Sequence, residues 1–406
     1  MDRITPRRLD TLDGLRGLAI LSVVIHHGCM ISQETDFGRM WNQVVSLGYF
    51  GGELFLVMSG YFMTMSLLKV RTRQQTVRSV YRRRYIRLLP LYWLAFVVCS
   101  LLIPIVAAAA TGKPLGFYLS AWPNLLLQTV FGTNISMLFD PAPRLFATTW
   151  TLCVQEQVYL AWIPLCLLLP ERMLKPACIV MIVAAAILRI AAAAWPPANS
   201  WIHIMPVFRM DAIAIGSLVA ILAAEKHVPR IPYVVRLAVL ATVLWAVALA
   251  FIPNMHEPFW LATRYLALAG LGALWLLTGL NVMEDVKLGR VLAHPWLAWY
   301  GRRSYSIYLF HGVVQMALFF VANKLAGVSF DAGLMPRSWL TAAMGVVSIV
   351  ALVPVAWLSH RFIEQPLEAW RKPIVPPAPE TGKLPKADSE FGTVVDTPRV
   401  ERRVLA

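Results

Sequence analysis

Apolar runs of about twenty residues recur from the start of the chain to about residue 363, separated by short polar connections. A hydrocarbon core about 30 Å thick is crossed by about 20 helical residues at a rise of about 1.5 Å each. The pattern therefore predicts ten spanning helices, at 13–32, 47–69, 88–110, 147–170, 176–195, 206–224, 233–252, 259–280, 297–323 and 338–362. Ten crossings return the chain to the side on which it started. The connections on the N-terminal side hold Lys69, Arg71, Arg73, Arg78, Arg82, Arg83, Arg84, Arg172, Lys175, Lys226, Arg230, Lys287 and Arg290; those opposite hold little more than Arg39, Lys113, Arg144 and Arg337. This bias played no part in choosing the segments, and it predicts cytoplasmic termini. The fold class expected is an all-α polytopic membrane protein of about ten transmembrane helices with cytoplasmic N- and C-termini, multi-pass in the inner (plasma) membrane.

Two stretches fall outside the spanning pattern. Residues 111–146 form the longest outer connection, and their amphiphilic piece Trp122 to Phe131 is too short to cross; it is expected to be re-entrant or interfacial. Residues 373–406 open with Pro373, Pro376, Pro377 and Pro379 and then mix five acidic with five basic side chains, which predicts a disordered cytoplasmic tail after a membrane domain at 1–372. The start of the chain, with Arg3, Arg7 and Arg8 before an apolar run, imitates a signal peptide. Asp13 and Arg16 interrupt that run and no small-x-small cleavage site follows, so it is read as a retained first span. No internal repeat marks an inverted-repeat transporter.

Composition narrows the function. Hydrophobic residues make up 58% of the 406 and charged residues 15%, with a mean hydropathy of +0.61. Lys plus Arg outnumber Asp plus Glu by 37 to 22, a net +15. In a soluble domain that excess would suit nucleic acid, but here the positive residues lie in short connections between apolar runs, so no nucleic-acid partner is expected. Cys29, Cys99, Cys153, Cys166 and Cys178 lie in or beside apolar segments without Cys-x-x-Cys spacing, so neither a metal site nor a disulfide framework is expected. His-Glu-x-x-His, a Walker loop and a His-x-x-x-x-Asp pattern at His26 or His27 are missing, which disfavours metal hydrolysis, nucleotide hydrolysis and soluble glycerolipid acyl transfer.

An ionisable side chain in hydrocarbon costs about 3 kcal/mol or more, so each one inside a span needs a reason. In the first span Arg16 and His27 are eleven residues apart, about three turns, on one helical face and separated by roughly 16 Å along the axis. Asp13 falls on nearly the same stripe, whereas His26 points a quarter-turn or more away. His27 is either a general base, its ordinary pKa of about 6.5 being suited to neutral pH, or a histidine hydrogen-bonded between helices. Arg16 is either part of a site or a snorkelling anchor. Glu53 follows Gly51 and Gly52 at the outer end of the second span, as a site residue or as an interfacial carboxylate beside a small-residue packing face. Arg84 and Arg87, three apart, share a face; guanidinium forks suit phosphates, and anionic lipid or topogenic charge is the competing reading. Glu156 lies in an apolar span beside Gln155 and Gln157. His311 closes the run Ser304, Tyr305, Ser306, Tyr308, and an acid, base, ligand or interhelical hydrogen bond each fits it.

Taken in order, Leu12 to Gly17 with His27, Gly52 to Gly60, Arg83 to Pro90, Trp150 to Tyr159, Arg209 to Gly216, Gly301 to His311 and His360 to Pro366 resemble the acyltransferase-3 family of integral-membrane O-acyltransferases. The resemblance implies ten core helices and transfer of an acyl group, commonly acetyl, from cytoplasmic acyl-coenzyme A, a co-substrate and not a bound cofactor, to a hydroxyl of a glycan or lipid-linked carbohydrate. Arg16 with His27 match the family's arginine, ten residues, histidine motif, and Arg84 with Arg87 its arginine, two residues, arginine motif. The roles implied are His27 and Arg16 in catalysis and Arg84 and Arg87 on coenzyme A. Asp13, Glu53, Glu156 and His311 are expected, apart from those motifs, in substrate binding or support. The family's Trp-Ser-Leu-x-Val-Glu block carries Thr151 for the serine and Gln155 for the glutamate. Glu156 follows one place later, rotated by about 100° on a helix, and is not assumed to inherit the role. No esterase-like domain follows Lys372, so any protein partner in outer polysaccharide assembly is expected to be a separate chain. The alternative is a transporter or flippase of a glycan precursor with His27, Glu53 and His311 along its path; a scaffold without chemistry is a third.

Overall fold

A computed structural model describes residues 6–72, 76–139, 145–195, 199–225, 233–251, 258–281, 287–327 and 339–369, and among them there is no β-strand. The predicted tail and the residues Arg73, Arg144, Lys226, Arg230 and Arg337 lie outside the described residues.

Each of the ten predicted spans falls on a helix. These are α1 (Pro6–Gly28), α2 (Phe50–Arg71), α3 (Val77–Phe96, continued by Ile103–Thr111), α4 (Trp150–Leu168), α5 (Glu171–Ala193), α6 (Met210–Ala224), α7 (Val234–Phe251), α8 (Pro258–Asn281), α9 (Ser304–Leu325) and α10 (Trp339–Ser359). Among the described residues, seven stretches are long and apolar enough to cross a membrane, those containing α2, α3, α4, α5, α8, α9 and α10. The other three fall short for identifiable reasons. α6 is short, with 15 residues; at 1.5 Å per residue that is about 22 Å, less than the hydrocarbon thickness. The apolar part of α7 is likewise short, Val234–Leu249. α1 carries Asp10, Asp13 and Arg16 in its first half.

α1 is central because its apolar positions recur at helical spacing: Leu12, Leu15, Ala19, Ile20 and Val24 are all buried. It packs against α2, α8, α9, α10 and the short helix Pro295–Arg302. The last contact needs backbone on backbone. A Cβ on Gly17 would stand 2.0 Å from the Leu297 carbonyl oxygen, and one on Gly301 1.7 Å from that of Asp13. α2 and α6 meet in the same way: a Cβ on Gly216 would stand 1.8 Å from the Val57 carbonyl oxygen. This close approach brings Thr64 Oγ1–H within 2.9 Å of Ser217 Oγ, and it fixes the second wall of the site against the first.

Shorter elements complete the frame. A widened turn at Val97–Leu102 interrupts the third span and presents Ser100, whose hydroxyl donates to Gln128 Oε1 at 2.8 Å, while the Tyr92 hydroxyl donates to the Gln128 carbonyl at 2.6 Å. These bonds seat the helix Trp122–Thr129, the piece expected to be too short to cross, against α3. A helix at Asp36–Ser46, absent from the sequence reading, begins where the Thr35 hydroxyl accepts from the Gly38 N–H at 3.0 Å. Its face of Phe37, Met40 and Val44 is exposed. All five cysteines are free thiols and buried.

Candidate active site

α1 carries the two ends of the candidate site. Near its start the Arg16 Nη1–H donates to Asp13 Oδ1 at 3.4 Å, and the guanidinium lies 3.9 Å over the ring of Phe62 on α2. Near its end stand His26 and His27. A cavity of about 680 Å³ opens along this face and joins both ends. Arg16, His26 and His27 line it from α1, Glu53, Ser59 and Phe62 from α2, and Arg83, Arg84 and Arg87 from α3. Thr151 and Gln155 of α4, Arg209 ahead of α6, and Tyr305 and Tyr308 of α9 close it.

At the His27 end one carbonyl oxygen decides where the protons sit. His311, fully buried, approaches the Tyr308 carbonyl with Nδ1 at 2.7 Å. A carbonyl only accepts, so that nitrogen carries the hydrogen. In the neutral ring Nε2 is then the acceptor, and it lies 3.0 Å from His27 Nδ1. His27 accordingly donates from Nδ1, and its Nε2 is left with the lone pair. The two rings stack at 5.0 Å. His26 turns instead to the Val45 carbonyl at 3.3 Å, as its angular offset on α1 predicts.

The other end is basic. Arg84 is held from two sides: its Nε–H donates to Glu156 Oε2 at 2.8 Å and its Nη2 pairs with Oε1, while the guanidinium lies 4.4 Å over the Tyr159 ring. Arg87 makes no ion pair among the described residues and is exposed at this mouth. Gln155 lines the cavity, whereas Glu156, one place on, turns out of the lining toward Arg84, as the rotation of about 100° per residue requires. Thr151, at the family's serine position, meets the Tyr308 hydroxyl, which donates to the Thr148 carbonyl.

The predicted residues thus divide into lining and backing positions. Arg16, His27, Arg84, Arg87 and Glu53 line one cavity. Asp13 backs Arg16, Glu156 backs Arg84 and His311 backs His27. The sequence reading missed three further participants. Arg209 pairs with Glu53, both 1% exposed. His203, in the helix Asn199–Ile204, meets the Tyr49 and Tyr265 hydroxyls with Nδ1 at 2.9 and 3.0 Å. Arg189, buried in the fifth span, donates to Asp211 Oδ2 at 2.7 Å and ties α5 to α6; an arginine inside an apolar run is the signal that would have drawn attention to it.

A core of helices thus surrounds a cavity with a histidine pair at one end and Arg16, Arg84 and Arg87 toward the other. A family model described as an acyltransferase domain matches residues 9–361, and the chain belongs to that family, acyltransferase-3. It is 22% identical over 386 residues to the peptidoglycan O-acetyltransferase OatA of Listeria monocytogenes, covering 90% of this chain and 56% of the relative. It is 23% identical over 387 residues to the O-acetyltransferase OatA of Staphylococcus aureus, covering 89% and 58%. The chain therefore spans little more than half the length of these relatives. No solved structure matches significantly.

Proposed function

We propose that the protein is an integral-membrane O-acyltransferase that moves an acyl group, acetyl in the first instance, from acyl-coenzyme A to a hydroxyl of a cell-surface or lipid-linked carbohydrate. The observation that carries this reading is the His27–His311–Tyr308 hydrogen-bond chain at one end of a cavity whose other end holds Arg16, Arg84 and Arg87. In this reading the basic mouth faces the cytoplasm of a cell whose inner membrane holds the chain with cytoplasmic termini. The coenzyme's phosphates meet Arg87 and the remaining N–H groups of Arg84, with Arg16 farther in along the thioester arm.

The reaction balances on one base. His27 Nε2 removes the proton of the acceptor hydroxyl as its oxygen bonds to the thioester carbonyl carbon. Collapse of the tetrahedral adduct breaks the C–S bond, and the His27 proton passes to the departing thiolate, giving the ester and free thiol with His27 restored. His311 holds His27 in the tautomer this needs, in the manner of an orienting group behind a base. The names of the relatives, peptidoglycan O-acetyltransferase and O-acetyltransferase, support acetyl and a carbohydrate acceptor.

The test is transfer of radiolabelled acetyl from acetyl-coenzyme A into the surface glycan fraction of membranes holding wild-type protein, H27A or no protein. Label that needs the wild type and vanishes in H27A at equal abundance is the expected result. Full activity of H27A removes His27 from the chemistry; a silent wild type with acceptor present removes acyl-coenzyme A as donor.

A further inference from the structure

At the end of the cavity away from Arg16, Arg84 and Arg87, two buried polar atoms of one ion pair stand without a hydrogen-bond partner. Glu53 and Arg209 pair through Oε1 and Nη2, and Glu53 Oε2 and Arg209 Nε are both left over. Both residues line the cavity, and a buried acceptor or donor left unpaired is costly enough to be rare. Because the pair neutralises itself, it offers little attraction to a free anion or cation. What it lacks is one donor for the carboxylate oxygen and one acceptor for the guanidinium N–H. A hydroxyl supplies either, and two neighbouring hydroxyls on a ring supply both together.

The surroundings fit such a guest. Tyr49 and Tyr265 both meet Nδ1 of His203 with their hydroxyls, which leaves the ring's Nε2 to donate to or accept from a guest hydroxyl according to the tautomer, on a residue that lines the same end. Trp150 lies against His203 at 4.4 Å and adds an apolar wall. A Cβ placed on Gly52, one residue before Glu53, meets nothing within 4 Å although Gly52 lines the cavity. The space over Gly52 is open at the Cβ position and leaves room for a ring.

The geometry points to this pocket as the acceptor subsite: a sugar ring seated beside Gly52 with adjacent hydroxyls on Glu53 Oε2 and the Arg209 guanidinium, presenting a third hydroxyl to His27. The assignment rests on the acyl-transfer reading and specifies where its second substrate sits.

The experiment measures steady-state transfer by the full chain in lipid nanodiscs, with acetyl-coenzyme A as donor and soluble glycan strands released from peptidoglycan as acceptor. E53Q keeps the side-chain shape and removes the charge, and G52F fills the pocket where no packing is in the way. Both variants raise the acceptor KM about tenfold or more, as expected when a hydrogen bond to a charged group or the ring's space is lost, while the KM for acetyl-coenzyme A stays at the wild-type value. An unchanged acceptor KM in G52F, or an effect on the acetyl-coenzyme A KM instead, overturns the subsite. Absence of transfer by the wild type overturns the acyl-transfer reading itself, and the two failures are thereby separated.

Discussion

His311 does its work through a single atom pair. Its Nδ1–H is held by the Tyr308 carbonyl and its Nε2 receives His27, so removing the ring frees His27 to adopt the other tautomer without touching substrate. H311A is expected to lower kcat about a hundredfold, within the range for general-base catalysis, with both KM values unchanged. H311Q recovers about a tenfold part of that loss, because an amide can accept from His27 through Oε1 and donate to Tyr308 through Nε2. Equal kcat values for H311A and H311Q at matched abundance would reduce His311 to packing. At this scale the sequence reveals what lies on one helix. Arg16 and His27 are legible from their spacing of eleven, and the turn of Glu156 away from the cavity from its one-place offset. The partners of His27 and Glu53 are 284 and 156 residues away in the chain, and no local period reports a contact made by tertiary packing.

Helix placement is governed by length and by small residues. The spans were legible because hydrocarbon thickness imposes a run length that needs no knowledge of neighbours. Asp36–Ser46 was not, since its eleven residues mix Asp36, Arg39 and Asn42 with Phe37, Met40 and Val44 and leave no continuous apolar run. The widened turn at Val97–Leu102 was equally invisible, because the run through it stays apolar. The contact of α2 with α6 is the joint that carries Glu53 to Arg209. G216A places a methyl against the Val57 carbonyl and is expected to cost about 1–3 kcal/mol by overpacking. G270A, on α8 with nothing near its Cβ, should gain about 0.5–1 kcal/mol from helix propensity. Thermal unfolding in detergent distinguishes them: the melting temperature falls for G216A and holds or rises for G270A, and equal behaviour would mean that the close approach does not limit stability.

On the proposed reading the whole molecule is a partition with a basic mouth on one side and a pocket for hydroxyls on the other. Sidedness is predicted from charge bias in the connections, several of which carry lysines and arginines outside the described residues. Glu34 and Arg78 are exposed, and the charge bias predicts opposite faces for them. A membrane-impermeant maleimide applied to intact cells should label E34C and spare R78C, with both labelled after permeabilisation; the reverse pattern would invert the topology. The background is already quiet, because the five native thiols are buried. That burial also bears on the route the acyl group takes. Among the described residues, none that lines the cavity is a cysteine, so on the proposed reading no lining thiol is placed to carry the group between donor and acceptor. Turnover should pass through N-ethylmaleimide treatment undiminished, a result that a thiol-borne acyl intermediate could not give.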